Sequence, residues 1–316
     1  MKIGLDMMGG DFAPLEAVKG IAAYLETKSD SAAIAHLFLI GDQNKVAELL
    51  AQYHIPDSIY TLVPSTQVIE MNEHPTKALK EKPDSSIAKG FGLLKTGEID
   101  SFISAGNTGA MLVGTMFSIK TIEGVIRPTV STIVPRENGK TGLILDVGIN
   151  ADCKPEMLNQ FAILGAGYAQ YILDIENPTV GLINIGEEEG KGNMLTQAAY
   201  VLLKENSAIN FIGNIEGRDI LGDKADVMIC DGFTGNILLK LLESLHPITV
   251  RQKIHHPFFD RFDFEQYGGT PILGVQKPVI LGHGISSAEA FKNMIFVAEK
   301  MITSEMLVKM QQSFSA

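Results

Sequence analysis

Short apolar runs recur along the chain, each closed by glycine and a small polar residue and followed by a stretch of helical period. "KIGLD" leads through "MMGGD" into "PLEAVKGIAAYLE", with Pro14 near the start of the helix, where proline is tolerated. "HLFLIGD" leads into "QNKVAELLAQY", and "DSFISAGNTGA" into a small-residue helix over 111–120. "GLILDVGINADCKPE", "TVGLINIGEEEGKGN", "ADVMICDGFTGN" and "PVILGHGISS" stand in the same way ahead of helical patterns. Near-continuous apolar strands are buried on both faces, and their alternation with helices implies parallel crossovers. The pattern predicts an α/β/α sandwich around a mostly parallel sheet. No break in composition marks a second domain, so one integrated unit over residues 1–316 is expected, with an insertion after Leu245.

Open parallel sheets take ligands at the carboxyl ends of their strands. The turns that should line that rim carry Asp6 and Asp11, Asn107 and Thr108, Asp146 and Asn150, Lys191 and Asn193, Asp231 to Asn236, and His283 with Ser286. Any one of these polar groups serves equally well as a helix N-cap. Several turns oversupplied with them point to a site.

"GEEEGKG" differs from a Walker A loop: three residues separate its first glycine from the Gly-Lys pair, and Gly192 stands where a hydroxyl would hold magnesium. The loop still offers backbone N–H groups, a cation and a helix N-terminus, which together favour an anion. Its glutamates must point away, pair with Lys191 or a neighbour, or engage another part of the ligand. "SAGNTGA" and "CDGFTGN" are glycine turns of similar design, with neutral, oriented donors suited to a phosphate or an oxyanion. No GxGxxG follows the first strand, and no GxSxG elbow is present.

Composition narrows the choices. Hydrophobic residues make up 45% of the chain and charged residues 20%, as in a globular protein. A net charge of −11 repels nucleic acid, so no nucleic-acid partner is expected. The two cysteines, Cys153 and Cys230, lack metal-ligand spacing, and no HExxH occurs among the histidines, so no metal is expected. Cys230 ends an apolar strand and reads as a small buried hydrophobe, whereas Lys154 beside Cys153 would lower that thiol's pKa. "IGLDMMGGD" follows Met1-Lys2 at once, leaving no room for a signal peptide, and no apolar run approaches the roughly 18 residues of a spanning helix. A soluble, reducing, cytoplasmic setting is expected.

Eight segments in one order, "DMMGGDFAP", "SAGNTGA", "LDVGINADCKPE", "GLINIGEEEGKGN", "FIGNIEGRDI", "ADVMICDGFTGN", "YGGTPILGV" and "GHGISS", span nearly the whole chain. Together they closely resemble the PlsX family of bacterial phosphate acyltransferases. The resemblance implies a Rossmann-like fold related to phosphotransacetylases and isocitrate-type dehydrogenases, a homodimer, and no cofactor. It implies transfer of a long fatty acyl chain from acyl carrier protein to inorganic phosphate, with the acyl phosphate passed to a membrane glycerol-3-phosphate acyltransferase. Carried onto this sequence, it makes Lys191 the residue that holds phosphate and offsets developing charge, and Asn236 a donor to the carbonyl oxygen or phosphate. Asp231 would orient Lys191 or accept a proton. Asn107, Thr108, Asn193, Thr234, Gly190, Gly192, Gly235 and His283 would line the substrate site. The glutamates are then expected to hold Lys191 and its loop.

One stretch departs from the family. Family members place a longer helical hairpin, associated with the dimer and with membrane attachment, where this chain has only "HPITVRQKIHHPFFDRF". A shortened or partly missing insertion near 246–262 is therefore expected. The stretch interleaves Arg251, Lys253, His255, His256 and Arg261 with Phe258, Phe259 and Phe262, which suits acidic acyl carrier protein or anionic lipid. Its alternative is a solvated loop. A phosphotransacetylase-like enzyme acting on acyl-CoA shares the fold and chemistry, and a non-catalytic membrane-associated scaffold is the reading from another class.

Overall fold

The computed structural model describes residues 1–28 and 34–315. Its contacts divide the chain into two compact units, each assembled from separated stretches. The first comprises Met1–Lys120, Glu265–Pro271 and Val275–Thr303; the second comprises Thr121–Phe264, Ile272–Gly274 and Ser304–Ala316.

In the first unit, β1 (Lys2–Asp6), β2 (His36–Gly41), β3 (Tyr60–Pro64) and β4 (Ser101–Ser104) are joined by α1 (Leu15–Thr27), α2 (Gln43–Gln52), α3 (Pro75–Glu81) and α4 (Ser86–Thr96). α5 (Thr108–Ser118) follows β4, and α10 (Ala288–Thr303) follows β11 (Val279–Leu281). The strand order is β3-β2-β1-β4-β11, all parallel. Thr270 and Pro271 of β10 (Thr270–Leu273) pair with β11 in antiparallel sense. α1 packs on α2 and α10, while α5 packs on α3 and α4, giving two helix layers. Ile3, Leu5, Leu37, Leu39 and Phe102 are wholly buried between them. Withdrawing each such side chain from water stabilises the fold by about 1.5–3 kcal/mol.

The second unit contains β5 (Thr129–Pro135), β6 (Thr141–Leu145), β7 (Thr179–Ile183), β8 (Asn210–Ile215) and β9 (Val227–Ile229). Their order is β5-β6-β9-β7-β8, with β6, β9, β7 and β8 parallel and β5 antiparallel to β6. Ile272 and Leu273 pair with β5. α6 (Pro155–Tyr171) follows β6, α7 (Met194–Glu205) follows β7, and α8 (Gly232–Gln252) follows β9. α9 (Pro257–Asp260) and α11 (Met306–Ser315) complete the unit, α11 packing on α6. A mostly parallel sheet with helices is thus what the alternating pattern forms.

Near 246–262 the chain begins as the end of α8. α8 continues through Pro247 to Gln252 although proline removes one internal hydrogen bond. Beyond it, Phe258 makes edge contacts with Phe259 and Phe262 at 5.4 and 5.3 Å between ring centroids. Phe262 is buried, and the Arg261 guanidinium donates to the carbonyls of Arg136 and Lys140, which ties this end of the stretch down. Arg251, Lys253, His255 and His256 remain exposed.

Candidate active site

In the second unit, the carboxyl ends of β6, β9 and β7 present three successive turns. The first is organised by Asp146, which is wholly buried directly after β6. One carboxylate oxygen accepts the backbone N–H groups of Val130, Gly148 and Ile149; the other accepts the N–H and side-chain amide of Asn150 at 2.7 and 2.8 Å. All these donors are neutral, so the negative charge is spread over a shell of dipoles. The turn that results offers the Val147 carbonyl to the Asn236 amide, which donates to it at 3.2 Å.

The second turn opens α8. Asp231 is its N-cap, accepting from the Thr234 N–H at 2.9 Å and from the Thr234 hydroxyl at 2.8 Å. Both carboxylate oxygens are thereby directed at Thr234. The Gly232 N–H donates to the Asn150 carbonyl at 2.7 Å, joining this turn to the first. A Cβ on Gly235 would lie 1.8 Å from the Asp146 carbonyl oxygen, so only glycine admits this approach. Asn236, one residue on, is exposed.

The third turn carries Lys191. Its carbonyl accepts from the Asn184 side-chain amide at 3.1 Å, and its N–H donates to the Glu188 carbonyl at 3.0 Å. The Gln197 amide, reaching back from α7, donates to the carbonyls of Gly190 and Gly192 at 2.9 and 3.1 Å. The Asn214 amide donates to the Glu188 carbonyl at 2.9 Å. Gly192 has φ +95°, and a Cβ there would fall 2.1 Å from the Thr196 hydroxyl. Asn193 then caps α7, accepting the Thr196 N–H at 2.9 Å.

The glutamates do not hold the lysine. Glu187 pairs with Lys224 at 2.7 Å and lies 3.9 Å from Arg218, while Glu189 pairs with Lys204 at 2.9 Å. Glu188 contributes its backbone carbonyl. Nearer cations take the carboxylates of Glu187 and Glu189, and three amide side chains together with the backbone hold the loop. Among the described residues, exposed Lys191 has no ion-pair partner. Asn184, Gln197 and Asn214 escaped the sequence analysis; Gln197 lies one turn after Asn193 on the same helical face, which is the signal that marks it.

A cleft of ≈ 630 Å³ lies against these turns, with Asn193, Asp231 and Thr234 in its walls beside Asp152, Cys153 and Phe233. Lys191 and Asn236 are not among its wall residues. Burial pushes the Cys153 thiol up to about 12, and the nearby Asp146 and Asp231 carboxylates push the same way. Lys154 therefore does not activate it: desolvation outweighs the adjacent cation. Cys230 is buried, as its strand-end position predicts, and its thiol is likewise raised by desolvation.

Asn107, Thr108 and His283 belong to the first unit. Buried Asn107 donates to the carbonyls of Glu70, Met71 and Glu73 and caps α5 by accepting the Ala110 N–H at 2.9 Å. Thr108 is exposed beside it, and His283 is partly buried in the turn after β11. No group of side chains able to hold a metal ion occurs among the described residues.

A family model described as "Fatty acid synthesis protein" matches residues 1–251 and 248–309 of this chain. The chain belongs to that family. A relative named phosphate acyltransferase from Dictyoglomus turgidum is 41% identical over 334 aligned residues, covering 100% of this chain and 98% of its own. A phosphate acyltransferase from Halothermothrix orenii is 40% identical, covering 100% and 99%. The family match breaks at 248–251, within the stretch expected to be shortened. Among solved structures, a phosphotransacetylase from Streptococcus pyogenes aligns over 95% of this chain and 94% of its own with a TM-score of 0.67 at 22% identity. A branched-chain phosphotransacylase from Enterococcus faecalis V583 aligns over 96% and 100% with a TM-score of 0.61 at 15% identity. At those identities the likeness establishes the fold that this PlsX-family chain adopts.

Proposed function

We propose that this chain transfers a fatty acyl group from acyl carrier protein to inorganic phosphate, using the three turns of the second unit. Membership of a family of phosphate acyltransferases makes it an acyltransferase with phosphate as acceptor. Hydrogen phosphate attacks the thioester carbonyl, the C–S bond breaks, and the phosphopantetheine thiol leaves with a pKa of about 8.5. Because the nucleophile comes with the substrate, the protein has to orient it and stabilise charge. Lys191 holds the phosphate beside the α7 N-terminus, with the backbone of Gly190 and Gly192 shaping the loop. Asn236, fixed through the Val147 carbonyl, keeps its second N–H for the developing oxyanion. Asp231 positions Thr234, and Gly235 keeps Asn236 close to the β6 turn. Asp152 and Asp231 in the cleft suit the amide and hydroxyl donors of a pantetheine arm better than a phosphate.

The observation that carries this reading is a lysine left unneutralised on a loop that contains three glutamates. The described residues include no helix long and apolar enough to cross a membrane. For partners, α8 offers Phe233, Ile237 and Leu241 at four-residue spacing, 64%, 56% and 60% exposed, a stripe that fits a second copy of the chain. At its far end, exposed Ile248, Val250 and Ile254 stand with Arg251, Lys253 and His255, which fits peripheral attachment to anionic lipid near a membrane acyltransferase that consumes the product.

Palmitoyl-acyl carrier protein is incubated with and without phosphate, and acyl phosphate is trapped as the hydroxamate. Phosphate-dependent product is expected, with Lys191→Ala reducing turnover by about 100-fold or more at unchanged circular dichroism. Product from palmitoyl-CoA and none from the carrier protein would replace the donor in this reading. Wild-type activity in Lys191→Ala would overturn the site.

A further inference from the structure

Of the three glutamates in the Lys191 loop, the outer two are neutralised: Glu187 pairs with Lys224 at 2.7 Å and Glu189 with Lys204 at 2.9 Å. The Glu188 carboxylate has no ion-pair partner among the described residues. Its main chain, by contrast, is fixed twice. The Glu188 carbonyl accepts the Lys191 N–H at 3.0 Å and the amide of buried Asn214 at 2.9 Å. That turn brings the two side chains together over buried Gly186. A Cβ on Gly186 would fall 3.0 Å from Glu188 Oε2, and 2.9 and 3.3 Å from Lys191 Cγ and Cδ. Glycine leaves open the space in which both lie. The carboxylate stands beside the stem of the lysine, and the ammonium makes no ion pair with it.

An ammonium and a carboxylate side by side, not joined to each other, define a narrow kind of site. The ammonium offers only donors, and the ionised carboxylate only acceptors. A ligand that satisfies both carries anionic oxygens and an O–H on one small group. Hydrogen phosphate does so at neutral pH. Sulfate has the same tetrahedral shape but no proton, so it would set a lone pair against the carboxylate and be repelled. A carboxylate that is merely solvated predicts no such discrimination.

We propose that Glu188 is the specificity residue of the loop: its carboxylate accepts the O–H of hydrogen phosphate while Lys191 takes an anionic oxygen. The inference rests on the reading above, in which Lys191 holds phosphate. With its O–H committed to Glu188, the phosphate presents only unprotonated oxygens to the thioester carbonyl. No proton is transferred in this contact. A charge-assisted hydrogen bond gained by one anion and replaced by repulsion in the other gives a discrimination on the order of tenfold.

Phosphate binding to the full chain is read by phosphorus NMR near neutral pH with sulfate as competitor, so that turnover is not needed. The wild type is expected to bind phosphate about tenfold or more tightly than sulfate. Glu188→Gln keeps the shape, removes the charge and adds an N–H that can donate to sulfate. It is expected to bring the two affinities within about threefold of each other, at an unchanged melting temperature. Glu187→Gln makes the same change of charge on a carboxylate already paired with Lys224, and is expected to keep the wild-type ratio. A wild type without preference overturns the inference, and so does an unchanged ratio in Glu188→Gln. Equal weakening of both anions overturns it in favour of a structural role. The same collapse in Glu187→Gln overturns it in favour of the loop's total charge. Discrimination present in the wild type and lost only in Glu188→Gln upholds it even if no acyl phosphate forms, in which case the acyl-transfer reading fails alone.

Discussion

The two units build their rims from the same parts and finish them differently. In the first, β1 ends in buried Asp6, which accepts the Met8 N–H and the Ser104 hydroxyl at the end of the neighbouring parallel strand β4. In the second, β6 ends in buried Asp146, whose N–H donates to the Cys230 carbonyl beyond the neighbouring parallel strand β9. The turns that follow, "SAGNTGA" and "CDGFTGN", share the frame G-x-T-G. Yet Asn107 is closed over by the 70–73 stretch, which takes its amide with three carbonyls, whereas Asn236 faces solvent with one amide bond made. A turn's polar residue is free for chemistry only when nothing else in the fold uses its hydrogen-bonding groups. Local sequence specifies the turn; what packs over it decides its employment.

The strongest way to break the comparison is at the approach of α8 to β6. Gly235→Ala forces a methyl group into the Asp146 carbonyl, and the melting free energy is expected to fall by about 3 kcal/mol, with turnover lost because Asn236 moves with the helix. Retention of both would show that the close approach is not needed. A reciprocal pair comes next. Asn107→Ala removes a cap and three donated bonds, and chemical denaturation is expected to report a loss of about 2 kcal/mol with faster amide exchange at 70–73. Asn236→Ala, being exposed, is expected to stay within about 0.5 kcal/mol of wild type while activity drops. If the two stabilities matched, the distinction between a committed and a free asparagine would fail.

The smallest effect concerns Asp6. Burial raises its pKa above the ordinary 3.8, and hydrogen bonds from Ser104, Ser86 and the backbone only partly offset that. Between 3.8 and the raised value the folded state binds more protons than the unfolded one. This group's contribution is therefore full below 3.8 and is lost as pH rises through the folded value. Asp6→Asn is expected to shift stability at neutral pH by about 1 kcal/mol or less and to flatten the slope in that window, read from denaturation midpoints at a series of pH values. An unaltered slope would assign the titration elsewhere.

Much of the framework was legible because strand-glycine-helix grammar is local. The capping roles of Asp231, Asn193 and Asn107 follow from residue type and position. β5 and β10 were harder to see: both pair antiparallel, and neither precedes a glycine turn and a helix. The expectation of one unit rested on an even composition. Units assembled from interleaved stretches leave no linker for composition to reveal. α8 also passes through Pro247, where proline costs one internal hydrogen bond. The partners of Glu187 and Glu189, namely Lys224, Arg218 and Lys204, lie 15 to 37 positions away, beyond the reach of any local pattern.

α8 joins Asn236 to the basic end of the chain's second unit as a single rod. At 1.5 Å per residue its 21 residues extend about 30 Å. Asp231, Gly232 and Gly235 clamp the first turn, so the rod behaves as a boom hinged at its foot. A swing of about 10° would sweep Arg251 through roughly 5 Å while shifting Asn236 by about 1 Å. The helix gives the basic tip a wide reach, and a motion there arrives at Asn236 scaled down about fivefold.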